Sequence, residues 1–203
     1  MLTNFEDFLK VLESYKLKQI SRNCSNFYYC EKEDVKHKRK ETTAEHIYSS
    51  LKLADYFLLT EKEFSQLDRL RVYELLMYHD DIEIDTKDVC ISNREERKYK
   101  NEKEVEALPG LASRYPSKLG EKLLKRDSEF RERKTPESQF AHAVDKMDAL
   151  IHELEYPQDW GPKGFDEKNV RVWFQHAFDY SPTFSKYFEY IIKYLNDKGY
   201  FKI

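Results

Sequence analysis

A histidine and an aspartate stand side by side at His79-Asp80, and further carboxylates follow at Asp81, Glu83, Asp85 and Asp88. The doublet closes an apolar run, Leu75-Leu76-Met77-Tyr78, which reads as the buried end of a helix. Charge buried without a partner is costly, and a metal ion would give this cluster a reason to exist. Imidazole together with carboxylate suits a divalent ion such as Mn, Fe, Co, Ni or Zn. Two other segments offer the same chemistry. His46 follows Thr42-Thr43-Ala44-Glu45, and Asp145 lies with Ala141, Asp148 and His152 along one strip of a long apolar helix. Two histidines and two carboxylates can hold one divalent ion and leave positions for water and substrate. The bland account of each acid is an ordinary helix-surface residue, and spacing alone does not choose between Asp145 and Asp148.

The elements that must position these groups are helical. Thr42 and Glu45 form a capping-box pattern that sets His46 in the first turn of a helix burying Ile47, Leu51, Ala54 and Leu58. A helix from about Phe64 carries Leu67, Leu70, Leu75 and Leu76 to His79. Thr135-Pro136-Glu137 is a helix start with threonine as cap and proline at the first helical position. The stripe Phe140, Ala143, Val144, Met147, Ile151 and Leu154 follows and runs to about Tyr156, where Pro157 stops it. Ahead of these, Phe5, Phe8, Leu9, Leu12 and Tyr15 recur at helical spacing, with Thr3 or Asn4 as cap. Residues 24–40, with the basic run Lys36-His37-Lys38-Arg39-Lys40, read as a loop, either solvated or in contact with phosphate. A polar helix over 94–106 is expected to end at Leu108-Pro109-Gly110-Leu111. Another spans about 117–133 with Leu119, Leu123 and Leu124 inward. Gly161-Pro162-Lys163-Gly164 reads as a loop, and 165–178 and 182–195 as two last amphipathic helices.

Composition bounds the rest. A chain of 203 residues with only 5 glycines and 6 prolines favours long helices over a loop-rich or all-β design. A formal net charge of -3 offers no global basic field, so no nucleic-acid polymer is expected as partner. Cys24, Cys30 and Cys90 have no CxxC spacing, which fits a reduced compartment. No apolar run reaches the roughly 18 residues of a membrane span, and the N-terminus has no signal-peptide pattern, so the expected location is the cytoplasm, without membrane attachment. His37 is expected at the surface, and His142 and His176 as ordinary surface or core-edge residues.

Taken in order, Arg22, Glu41-Thr42-Thr43-Ala44-Glu45-His46, His79-Asp80-Asp81-Ile82-Glu83, Asp88 and Val144-Asp145-Lys146 resemble the HD-domain metal-dependent phosphohydrolases. The nearest branch is that of bacterial 5'-deoxynucleotidases and their eukaryotic relatives. The doublet alone is a weak signature. With an upstream Glu-His, a glutamate four residues on, an aspartate nine on and a late Asp-Lys, it is far more specific. The resemblance covers about residues 5–156. It implies an all-α bundle; the helices after 157, which it does not match closely, are expected to pack on the core within one domain over 1–203, to complete the pocket or to form a dimer surface.

The resemblance also implies roles. His46, His79, Asp80 and Asp145 would ligate the metal, the Val-Asp-Lys match deciding for Asp145 over Asp148. Glu83 would act beside the scissile phosphate as acid, base or orienting group, and Asp88 as a second catalytic carboxylate. Arg22 would bind substrate phosphate, its alternative being a surface ion pair. Apart from the resemblance, His152 lies two turns beyond Asp145 on the same strip, a place behind the ligands that is open to it but not favoured. The expected activity is release of phosphate from a small phosphomonoester, a (deoxy)nucleoside 5'-monophosphate, by attack of a metal-bound water, with Mn, Co, Ni, Fe, Mg or Zn as cofactor and a homodimer as the assembly. The rivals are an HD hydrolase of another phosphate (a nucleoside triphosphate, an alarmone or a phosphorylated metabolite) and a catalytically silent nucleotide-binding protein. Two departures motivate them: Lys87 stands where the family often has glycine, and Asn23-Cys24 where it often has Gly-Trp.

Overall fold

In the computed structural model, residues 4–30, 35–160 and 164–202 are described. Helices dominate, as expected. They are α1 (Asn4–Leu9), α2 (Thr43–Thr60), α3 (Arg69–Tyr78), the short α4 (Glu83–Thr86), α5 (Arg94–Arg114), α6 (Ser117–Glu132), α7 (Pro136–His152), α8 (Glu167–Phe174) and α9 (Pro182–Asp197). Between α1 and α2 run two antiparallel strands, β1 (Ser21–Cys30) and β2 (Val35–Thr42). They pair from Ser21↔Thr42 to Cys30↔Val35, with an irregularity between Ser21 and Ser25. Among the described residues no helix is long and apolar enough to cross a membrane.

α7 is the axis. It packs against α2, α3, α6 and α9, and its Phe140, Ala141, Ala143, Val144 and Met147 are fully buried. Around them gather Phe57, Leu75, Leu76, Phe178, Phe184, Phe188 and Leu195, so the C-terminal helices share the main core. A second cluster joins Ile47, Tyr78, Ile82, Leu108, Leu111, Tyr115 and Leu123 beneath the acidic segment. Burial of side chains of this size contributes about 1.5–3 kcal/mol each, so these two clusters hold the helix ends that carry the polar site. At Gly120 a Cβ would fall 2.3 Å from the Ala112 carbonyl oxygen, so α5 and α6 can approach this closely only through glycine.

Both capping predictions match the structure. The Thr42 hydroxyl accepts from the Glu45 amide, and the Thr42 amide donates to the Glu45 carboxylate at 2.9 Å. Thr135 caps α7 through Ser138, with Pro136 in the first turn.

Five expectations need correction. Residues 24–40 are not a loop but mostly the β1–β2 hairpin; its polar sequence lacks the apolar alternation that announces a strand. The Arg39 guanidinium grips the Glu45 carboxylate and so pins the hairpin to the start of α2. α1 gives way to a 3-10 segment, Lys10–Gln19, and Phe5, Phe8, Leu9, Leu12 and Tyr15 face solvent instead of a core. α3 begins at Arg69, capped by Asp68, and Leu70 is exposed. α5 runs through Pro109 to Arg114, because burial of Leu108, Leu111 and Ala112 outweighs the roughly 3 kcal/mol that an interior proline costs. Leu124 and Ile151 turn outward at 39% exposure each, at the edges of stripes whose centres are buried. The expected features at residues 161–163, the Thr3 cap and the side chains of Cys30 and His37 lie outside the described residues.

Candidate metal centre and active site

Three segments bring their side chains to one point. His46 comes from the first turn of α2, held there by the capping box; it is completely buried. His79 caps the end of α3, and Asp145 projects from the middle of α7. One ligand atom from each lies within 4.8 Å of those of the other two. His46 Nε2 is 3.1 Å from Asp145 Oδ1 and 3.8 Å from Asp80 Oδ2. His79 Nε2 is 3.2 Å from Asp80 Oδ2 and 3.7 Å from Asp145 Oδ1. All four residues named from the sequence as metal ligands are therefore neighbours in space.

The opposite ring nitrogens are tied off. His79 Nδ1 lies 2.8 Å from the Leu76 carbonyl, an acceptor only, so it carries the proton and donates. That leaves Nε2 as the nitrogen that faces the carboxylates and could serve a metal on losing its proton. His46 Nδ1 lies 2.8 Å from Asp148 Oδ2, which also accepts from the Ser49 hydroxyl at 3.0 Å. Asp148 thus stands behind a histidine and not beside it, the arrangement that fixes tautomer and ring direction at metal sites. His152, on the same strip of α7, reaches Glu41, with Nδ1 3.4 Å from Oε1, and stacks on Tyr156.

These residues fit a divalent ion. His79 Nε2 is buried and makes no hydrogen bond of good geometry. Burial works against a charged imidazole at both histidines, yet the carboxylates win: Asp145 and Asp148 raise His46, and Asp80 raises His79 well above its ordinary value. Against the same burial, His79 and Arg22 hold Asp80 well below the usual carboxylate range. The cluster favours positive charge at its centre, and a metal supplies it with release of protons.

Around this centre sits a ring of groups for substrate. Arg22 on β1 directs Nη1 to Asp80 Oδ2 at 3.1 Å, and its Nε is 3.4 Å from Glu41 Oε2. It is ion-paired as one reading anticipated, but inside the site and not at the surface. Glu83 is 1% exposed; it accepts from the Thr43 hydroxyl at 2.9 Å and faces Lys100 Nζ at 3.5 Å. Burial, then the charge on Asp80, pushes Glu83 up to about 7. Asp88 lines the same cavity as Arg22, Glu83 and Lys100. The residue before it, Lys87, has φ of 66°, a left-handed conformation that glycine adopts freely. The rest of the acidic run points away. Asp81 accepts from Tyr115 at 2.9 Å, and Asp85 pairs with Arg114 at 2.6 Å.

Sequence reasoning did not single out Lys100, Glu41 and Thr43. Lys100 lay in a polar stretch where every charge looked solvated. Glu41 precedes the capping box and Thr43 lies inside it, and only the fold turns them inward.

Two cavities meet at the centre and share Asp80, Asp145, Lys146, Arg97, Lys100 and Ile91. One, about 430 Å³, holds Arg22, Glu83 and Asp88 and has an apolar end made by Leu150, Trp160, Phe165 and Phe174. The other, about 650 Å³, is lined by more cations than carboxylates, Arg94, Arg131 and Arg133 among them.

A helical bundle with a buried histidine–aspartate centre at the junction of three helices defines the class. The chain belongs to the HD domain family, whose model matches residues 16–177. It is similar to the crystal structure of a predicted metal-dependent phosphohydrolase from Magnetospirillum magnetotacticum, with 26% identity, a TM-score of 0.78 and 98% of each chain covered. It shares its fold with a conserved hypothetical protein from Pyrococcus furiosus, at 20% identity and a TM-score of 0.55, over 83% of this chain and 94% of that one. No match was found among curated proteins.

Proposed function

We propose that this protein is a divalent-metal-dependent phosphohydrolase acting on a small phosphomonoester, with a (deoxy)nucleoside 5'-phosphate as the substrate class. The observation that carries it is the convergence of His46 Nε2 and His79 Nε2 on Asp80 and Asp145, with Asp148 and the Leu76 carbonyl holding the far ring nitrogens. The likeness to the Magnetospirillum protein supports the same reading. In it, His46, His79, Asp80 and Asp145 hold the ion. When bound, such an ion activates water near neutral pH and screens the charge on phosphoryl oxygens.

The remaining groups divide the work of positioning. Arg22 and Lys100 present donors towards the space in front of Asp80, where phosphoryl oxygens are to be held. Glu83, kept dry and poised near neutrality, can give a proton to the departing ester oxygen, with the Thr43 hydroxyl fixing its other oxygen. Asp88 stands on the same wall as a second carboxylate. Trp160, Phe165 and Phe174 provide an apolar end suited to a nucleobase, a role that the missing Gly-Trp pair after Arg22 left open.

The experiment is purified protein loaded with Mn or Co and offered a panel of nucleoside and sugar phosphomonoesters, with released phosphate as the readout. Chelation and Asp80→Ala should each abolish release. Glu83→Gln should lower kcat by about 10²–10⁴ with the metal retained. If metal-replete protein releases phosphate from no member of the panel, the reading fails.

A further inference from the structure

The larger cavity has a wall that the reaction above leaves unused. Arg131 on that side is neutralised by Asp127 and Glu104, and Lys146 by Asp145. Arg94 and Arg133, both exposed, line the same space, and among the described residues neither side chain makes a hydrogen bond or ion pair. Two buried groups there also lack a hydrogen-bond partner among the described residues: Trp173 Nε1 and both ring nitrogens of His142, a residue only 6% exposed. A guanidinium and an indole N–H can only donate. Orphaned buried donors are costly, and the two exposed cations beside them are hydrogen-bonded to no described carboxylate. What fits all four is an acceptor that carries negative charge. The wall adjoins the metal centre, for the Phe130 ring lies 4.9 Å from His79 and 5.9 Å from His142.

We propose that Arg94, Arg133, His142 and Trp173 form a second oxyanion subsite, which receives a phosphate-sized group while the scissile phosphoryl lies at the His46–His79–Asp145 centre. This rests on the phosphohydrolase reading and sharpens it. The nucleoside end lies in the apolar cavity and the second anion in the basic one. That anion is either a further phosphoryl group of the substrate or free orthophosphate bound alongside.

The test uses metal-loaded protein and calorimetry with methylenediphosphonate, a non-hydrolysable two-phosphorus probe, against orthophosphate. Wild type should bind the diphosphonate about tenfold more tightly, and Arg133→Gly and Arg94→Ala should each weaken it by about tenfold with the first equivalent of orthophosphate, at the metal centre, little changed, the scale of a lost charge-assisted contact. Arg133 has φ of 52°, so glycine there removes the cation without straining the backbone. His142→Phe should weaken the diphosphonate likewise, and Lys186→Ala, outside the cavity, should not. Equal binding of the two probes, or variants that match wild type, would overturn the subsite. A lower KM for nucleoside 5'-diphosphate than for the monophosphate supports a substrate-borne anion. A second equivalent of orthophosphate bound beside the monophosphate supports the free one. Diphosphonate discrimination without hydrolysis of any ester would sink the enzyme reading alone, whereas hydrolysis without discrimination would sink the subsite alone.

Discussion

His46 and Asp148 show how much one side chain depends on the next. A ring nitrogen can serve a metal only when the other nitrogen is the one protonated, and for His46 that is arranged by a carboxylate 2.8 Å behind it. Asp148→Asn preserves size but removes the charge that holds the proton and supports the ring. Metal affinity should fall about 10–100-fold in a folded protein, read by titration of the metal-free variant beside wild type. Unchanged affinity would mean that α2 packing alone orients His46. Asp148 looked from the sequence like a competitor of Asp145 for the metal. The two are three residues apart on one helix, and their difference in role comes only from what each faces.

At the scale of elements, two features have measurable consequences. The turn that ends α4 forces Lys87 to φ of 66° and so sets the path to Asp88. Strain of this kind costs about 1–3 kcal/mol. Lys87→Gly should therefore raise stability by about 1 kcal/mol once the lost Lys87–Ile84 hydrogen bond is allowed for, a rise of roughly 2–4 °C in the thermal midpoint for a chain of this size. A midpoint that falls would show the lysine to be unstrained. The second feature is the α3–α6 staple, where Glu74 meets Lys122 at 2.5 Å and Arg126 at 2.6 Å. The Lys122 ammonium, against the opposing effect of burial and with help from Arg126, holds Glu74 below its ordinary value. A carboxylate lowered in the folded state stabilises the fold above its unfolded value, about 4.3, and that contribution disappears as pH falls through the folded value. Glu74→Gln should then cost stability at about pH 6 and progressively less towards about pH 3, in urea midpoints taken across the range. A constant difference would assign the staple to packing.

For the whole molecule, the metal centre is also a joint, since it ties α2, the end of α3 and α7 together. A ligand that binds only the folded state stabilises it by mass action, about 2.7 kcal/mol at a hundred times Kd. Divalent metal should raise the thermal midpoint by roughly 5–10 °C in wild type, a chelator should reverse the gain, and Asp145→Ala should abolish it. If metal leaves the midpoint unmoved, the three helices are joined by their apolar core alone. That core is extensive, and α8 and α9 belong to it through Val170, Phe174, Phe184 and Phe188.

Local spacing carried the helical character of the chain, the two threonine caps and the buried stripe of α7, because periodicity and capping depend on near neighbours; the choice of His46, His79, Asp80 and Asp145 rested on the family resemblance. Spacing failed where neighbours far along the chain set the outcome. The polar hairpin depends on a partner strand and on Glu45; the continuation of α5 through Pro109 depends on burial against the acidic segment; the outward face of Leu12 and Tyr15 depends on their lying outside both described core clusters. The division of labour within the site belongs to the same class. Asp81 turns to Tyr115 while Asp80 turns to the histidines, Glu41 and Lys100 face inward, and His142 and Trp173 line a cavity with no partner. Which way a charged residue points is a small local choice, and in this chain packing between elements distant in sequence makes it.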